Sequence, residues 1–180
     1  METRLDLARY GSQLWGKGEA RRIRGRATSI LEILNVGDVL VIDAARVDAF
    51  DFSFAAELFG KALLTMGVEF PGRFFVVENL NECTRENLQR ALESLNIVMI
   101  ERKGRDLALL GKVHPADRTT FARIIAAGEA VSAGALSKTL DVNLTAMNER
   151  LSKLTGLGIV RREKVPSAAG REQYVYLVLK

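Results

Sequence analysis

Thr145, Asn148, Glu149 and Ser152 follow one another at intervals of three, one and three residues. On a helix that advances about 100° per residue, that spacing gathers their side chains on one face. Met147, Leu151 and Leu154, spaced by four and three, fall on the other side and read as a buried stripe. The polar face has the chemistry of base-edge recognition. An asparagine pairs with adenine, a glutamate accepts from the cytosine amino group, and hydroxyls bond to either. None of the four is cationic, so attraction to phosphate has to come from the flanks. Lys138, Arg150, Lys153, Arg161, Arg162, Lys164 and Arg171 surround the face, set against Glu149, Glu163 and Glu172.

A second cluster of interest is Asp51, Phe52, Ser53 and Glu57. Asp51 and Ser53 stand just before a helical pattern, where a side-chain oxygen accepts from free backbone N–H groups of the first turn. The same place attracts a phosphate, because a helix N-terminus is electropositive. Read from the residues alone, this is an N-cap worth about 1 kcal/mol. Exposed Phe50, Phe52 or Phe54 would give the turn an apolar anchor for a protein partner.

No catalytic set accompanies either cluster. The chain has one histidine, His114, and one cysteine, Cys83, so a Cys/His metal site and an internal disulfide are both excluded. Gly16 and Gly18 lack the spacing and the terminal Lys-Ser/Thr of a phosphate-cradling loop. The basic run Arg21 to Arg26 reads as a solvated helix face. These absences lead us to expect no enzyme, no metal and no cofactor.

Charge divides the chain. Residues 1–114 carry 16 Lys+Arg and 16 Asp+Glu, whereas residues 115–180 carry 10 and 6, so the whole excess of +4 sits in the last third. That asymmetry marks the C-terminal part as the nucleic-acid side. The boundary falls in "GKVHPADRTT", where apolar periodicity lapses. Asp117 or Thr119 is expected to cap a new helix there, and His114 to be solvated or capping. With no apolar run of the ~20 residues that cross a bilayer and no leader-like start, a cytoplasmic protein is expected.

The elements that must position these residues follow from periodicity. "DVLVID", "RFFVVE" and "IVMIER" read as strands buried on both faces, with "LDLARY" and "DLALLG" as edge strands. Between them, "GEARRIRGRATSILEILN", "SFAAELFGKALLTM" and "TRENLQRALESL" carry helical spacing. After Thr119 the order is helix, helix, helix and a hairpin. Ser132 and Asn143 are the N-caps, "GIVRREKV" and "YVYLVLK" the strands, and "PSAAGREQ" the tip.

"VLVIDAARVDAFDFSFAAELFGKAL" and "VVENLNECTRENLQRAL" resemble the central strand, turn and helices of STAS-like proteins, relatives of the anti-sigma-factor antagonists. The resemblance covers roughly Leu5 to Gly111. It implies an α/β domain over residues 1–114, and a partner among histidine-kinase-like ATPases or other regulatory proteins docked near Phe52 to Glu57. In that family a serine next to the aspartate is phosphorylated. Here Phe52 takes that place and only Ser53 remains. Residues 115–180 resemble a winged helix-turn-helix domain of the bacterial transcription-regulator kind, an α+β unit, on the spacing from Leu136 through Met147, Leu151 and Leu154 to "GLGIV". Together the resemblances imply a regulator that binds double-stranded DNA and pairs into a homodimer. The alternative is a protein-interaction switch that does not bind DNA.

Overall fold

The computed structural model describes all residues except Ala168, Ala169 and Lys180. The centre of the expected hairpin tip and the end of "YVYLVLK" therefore lie outside the described residues. The chain is a mixed α/β protein. In order it runs β1 (Glu2–Asp6), a 3-10 turn (Leu7–Tyr10), β2 (Gln13–Leu14), α1 (Gly16–Ile33), β3 (Val39–Asp43), β4 (Ala49–Phe50) and α2 (Phe52–Ala55). A π-helical turn (Ala56–Gly60) leads into α3 (Lys61–Glu69), followed by β5 (Phe74–Glu78), α4 (Glu82–Ser94), β6 (Val98–Lys103) and β7 (Asp106–Gly111). The remainder is α5 (Pro115–Ala127), β8 (Val131–Ser132), α6 (Ala133–Leu140), α7 (Leu144–Gly156), β9 (Arg161–Pro166) and β10 (Glu172–Leu177).

The main sheet has the order β1-β3-β5-β6-β7. Its first four strands are parallel, and β7 returns antiparallel to β6 through a tight turn at Gly104 and Arg105. Each crossover from β1 to β3, β5 and β6 moves the same way across the sheet. Right-handed crossovers that all move one way put every connecting helix on the same face. Accordingly α1, α2, α3 and α4 pack with Leu40, Ile42, Phe75, Val77 and Met99 in one core.

The opposite face is left without a helix of its own, although Val39, Val41, Phe74, Val76, Val98 and Ile100 are apolar and buried there. It is covered by the C-terminal elements. Phe121, Ile124, Leu136, Met147, Leu151, Leu154 and Tyr176 join those strand residues in a second core. The strands are thus buried on both faces, as their apolar runs suggest, but each face has a different cover. A smaller sheet, β8-β10-β9, completes the C-terminal part, and β2 pairs with β4 in a third.

The junction is close. A Cβ added at Gly67 on α3 would lie 2.1 Å from the carbonyl oxygen of Gly156 at the end of α7. Only glycine permits this approach of two helix backbones.

Three local expectations differ from the structure. "LDLARY" contributes only Leu5 and Asp6 to β1 before the 3-10 turn, because Asp6 accepts from the Ala8 N–H at 2.9 Å and turns the chain. The helix expected from Thr119 begins at Pro115, whose missing N–H and fixed φ suit a first helical position. Its cap is His114, not Asp117 or Thr119, with Nδ1 accepting from the Ala116 N–H at 3.2 Å.

Candidate functional site

The surface around α7 is built by a sequence of caps. Ser132 caps α6 by accepting from the Ala135 N–H at 3.2 Å. Asp141 ends α6 in the left-handed conformation, with φ 50°. The Ser137 hydroxyl then donates to the Val142 carbonyl at 2.6 Å, which closes the turn. Asn143 caps α7 by accepting from the Ala146 N–H at 2.8 Å. Both caps were legible in the sequence. They fix the angle at which α7 leaves α6, while Leu136, Met147, Leu151 and Leu154 hold the two helices to the core.

On α7 the structure brings Thr145, Asn148, Glu149 and Ser152 to the exposed side, opposite the buried stripe. Leu144, also exposed, extends this face at its first turn. Lys138 is exposed on α6, and Arg150 is half-buried. Lys153 is exposed but engaged, since its ammonium donates to the buried Asp117 carboxylate of α5 at 2.5 Å.

The β9–β10 hairpin sorts its cations by strand alternation. Arg162 and Lys164 point outward. Arg162 stacks its guanidinium on Tyr174, 4.4 Å from the ring centroid, and Lys164 is ion-paired with Glu172 across the strands. Burial raises the Tyr176 phenol above its ordinary value, partly offset by the Arg162 charge. Arg161 points the other way. Its side chain is 17% exposed, pairs with Glu163 and lies against Gly37 and Gly72 of the N-terminal part. It is therefore separated from the outward cations. Arg171 is exposed, beside the strand start at Glu172.

The second predicted cluster is held differently. Asp51 caps α2, accepting from the Phe54 N–H at 2.6 Å, and also accepts from the Gly16 N–H at 3.2 Å, which ties the starts of α1 and α2 together. Ser53 is half-buried. Of the three phenylalanines, Phe50 and Phe54 are core residues stacked 5.6 Å apart, and only Phe52 is exposed, at 44%. Trp15, one residue before Gly16, is 54% exposed.

Glu57 is not part of an open turn. Its side chain is 1% exposed, and it is bound by Lys61 at 2.7 Å, Arg24 at 3.1 Å and Arg21 at 3.4 Å. The i,i+4 partner Lys61 could be read from sequence, whereas the arginines lie 33 and 36 residues away. Two members of the run Arg21 to Arg26 thus bind a buried carboxylate instead of forming a purely solvated face. Lys61 first, with Arg21 and Arg24, holds the Glu57 carboxyl below the ordinary carboxylate range against the opposing effect of burial.

A depressed folded-state value means stabilisation that is present above the unfolded value, about pH 4.3, and is lost as pH falls through the folded one. Glu57→Gln is expected to cost about 1–2 kcal/mol at pH 7, a figure limited by solvent screening of Lys61 and Arg21. The gap from the unsubstituted protein should narrow below about pH 4. Urea denaturation of both proteins across pH 3–7 checks this, and a gap that does not change with pH would exclude the ionic role.

No protein-family model matches the chain, and no curated protein matches it. Among solved structures it is similar to one described as a possible transcriptional regulator from Methanosarcina mazei Go1, with 20% identity and a TM-score of 0.35. That likeness covers 38% of this chain and 57% of the other, so the chain spans little more than half of that neighbour's length. Among the described residues no helix is long and apolar enough to cross a membrane.

Proposed function

We propose that the protein is a cytoplasmic, non-catalytic transcriptional regulator. In this reading residues 115–180 act as a winged helix-turn-helix that binds double-stranded DNA, and residues 1–114 act as a STAS-like unit that binds or senses a partner. The observation that carries the proposal is the arrangement on α7. Thr145, Asn148, Glu149 and Ser152 are exposed together, with Lys138 on the preceding helix and Arg162, Lys164 and Arg171 on the hairpin beyond. In this reading the α7 side chains read bases while the cations of α6 and of the hairpin meet phosphates, which is the division of labour expected at a groove. One copy is only weakly basic, so two copies reading related half-sites supply the affinity.

Binding to fragmented DNA, drawn from the neighbourhood of its own coding region and measured across a salt series, tests this. The expected result is selective retention of one fragment, weakening as salt rises and losing selectivity in Asn148→Ala. Retention no better than that of random duplex at every salt concentration would refute it.

One observation favours a second reading, that of a protein-interaction switch. Phe52 and Trp15 are exposed on either side of the Asp51–Gly16 contact, where an aromatic pair can anchor a partner such as a histidine-kinase-like ATPase. Loss of capture in Phe52→Ala, with DNA retention absent, would favour this reading over the first.

A further inference from the structure

Between the β6–β7 turn, the end of α5 and the chain after β10 lies a cavity of about 440 Å³. That is within the range of roughly 300–1,000 Å³ typical of small-molecule sites. Its walls are mainly apolar, with Leu107 on one side and Ile125, Val178 and Leu179 on the other. The polar groups are few and opposite in sign. Arg105, in the two-residue turn, and Glu129, just past the Gly128 cap of α5, are among the lining residues. Neither has an ion-pair partner among the described residues, and both are exposed. Arg102 also lines the cavity, but its charge is taken by Glu2 and Glu78.

We infer that this cavity binds a small zwitterion with an apolar body, of the class of an aromatic or branched α-amino acid. A simple carboxylate would meet Arg105 but be repelled by Glu129, and a simple amine would meet the reverse. A zwitterion satisfies both. The ammonium belongs at the α5 side, where the helix C-terminus adds negative potential to that of Glu129. The carboxylate belongs at Arg105, whose guanidinium binds it in a fork. The apolar body fills the space lined by Leu107, Ile125, Val178 and Leu179. Because the walls come from both the main sheet and the C-terminal elements, a bound ligand strengthens the contact between them and raises the melting temperature.

The test uses the full chain without DNA, so its outcome is independent of whether α7 reads bases. L-phenylalanine and L-leucine are titrated calorimetrically, beside phenylacetate and 2-phenylethylamine as probes that each keep one charge. We expect saturable binding of at least one amino acid, with each half-probe at least about tenfold weaker. Arg105→Ala should weaken the amino acid by about tenfold or more while leaving the amine unchanged, and Glu129→Gln should do so while leaving the carboxylate no weaker. Both positions are exposed, so neither substitution threatens folding. Absence of saturation by both amino acids across the millimolar range would overturn the inference, as would a half-probe that binds equally well or an Arg105→Ala protein that binds unchanged.

Discussion

Gly67→Val is expected to lower stability by about 2–3 kcal/mol, or to lift the end of α7 away from α3, because the new side chain would begin 2.1 Å from the Gly156 carbonyl oxygen. The obstructing atom is backbone, and it belongs to a helix held by Met147, Leu151 and Leu154 in the core. No rotamer change relieves such a clash. Either α7 shifts, which strains the buried stripe, or α3 does, which disturbs Met66. Urea denaturation measures the loss of stability, and faster hydrogen exchange at the end of α7 reports its displacement. A variant with unchanged midpoint and unchanged exchange would show that the two helices do not approach this closely in solution. Gly134→Ala is a suitable control, since no atom of the described residues lies within 4 Å of the position its Cβ would take.

The second large effect concerns charge. Arg162→Ala combined with Arg171→Ala is expected to reduce the slope of log affinity for DNA against log salt by about two, one for each phosphate that is no longer neutralised. Affinity at low salt falls with it, and the preference among fragments is retained, because cations that meet phosphates carry no sequence information. Arg161→Ala is expected to leave the slope unchanged, since its guanidinium lies against Gly37 and Gly72 and is paired with Glu163. It should instead cost folding stability. If Arg161→Ala and Arg162→Ala changed the slope equally, the sorting of the hairpin cations by strand face would be wrong.

These two arginines show what could and could not be read in advance. They are neighbours in "RREK", and the sequence marks both as cationic without saying which faces solvent. That depends on what packs against each face of the hairpin: Arg161 lies against Gly37 and Gly72, whereas Arg162 stacks on the exposed Tyr174. The stripe Met147, Leu151 and Leu154 was legible because helical spacing specifies a face by itself. The caps Ser132 and Asn143 were legible because capping is local chemistry.

Long-range partners were not legible. Nothing in "FSFAAELFGK" announces a π-helical turn, or a carboxylate that draws Arg21 and Arg24 from another helix. The runs "VLVI" and "FFVV" indicate strands buried on both sides, yet they read the same whether helices or another part of the chain provide the cover. The direction of the crossovers decides that, and direction is a property of strand order, not of any one segment.

The one-sided winding of the sheet also has a consequence for how the chain is made. When residues 1–114 have left the ribosome, Val39, Val41, Phe74, Val76, Val98 and Ile100 form an apolar surface whose cover is still being translated. At about 5–20 residues per second, the remaining segment takes several seconds to appear. For that interval the nascent protein presents a sticky sheet face to its surroundings. A stop codon near His114 would make the interval permanent and release a fragment that aggregates or stays bound to chaperones.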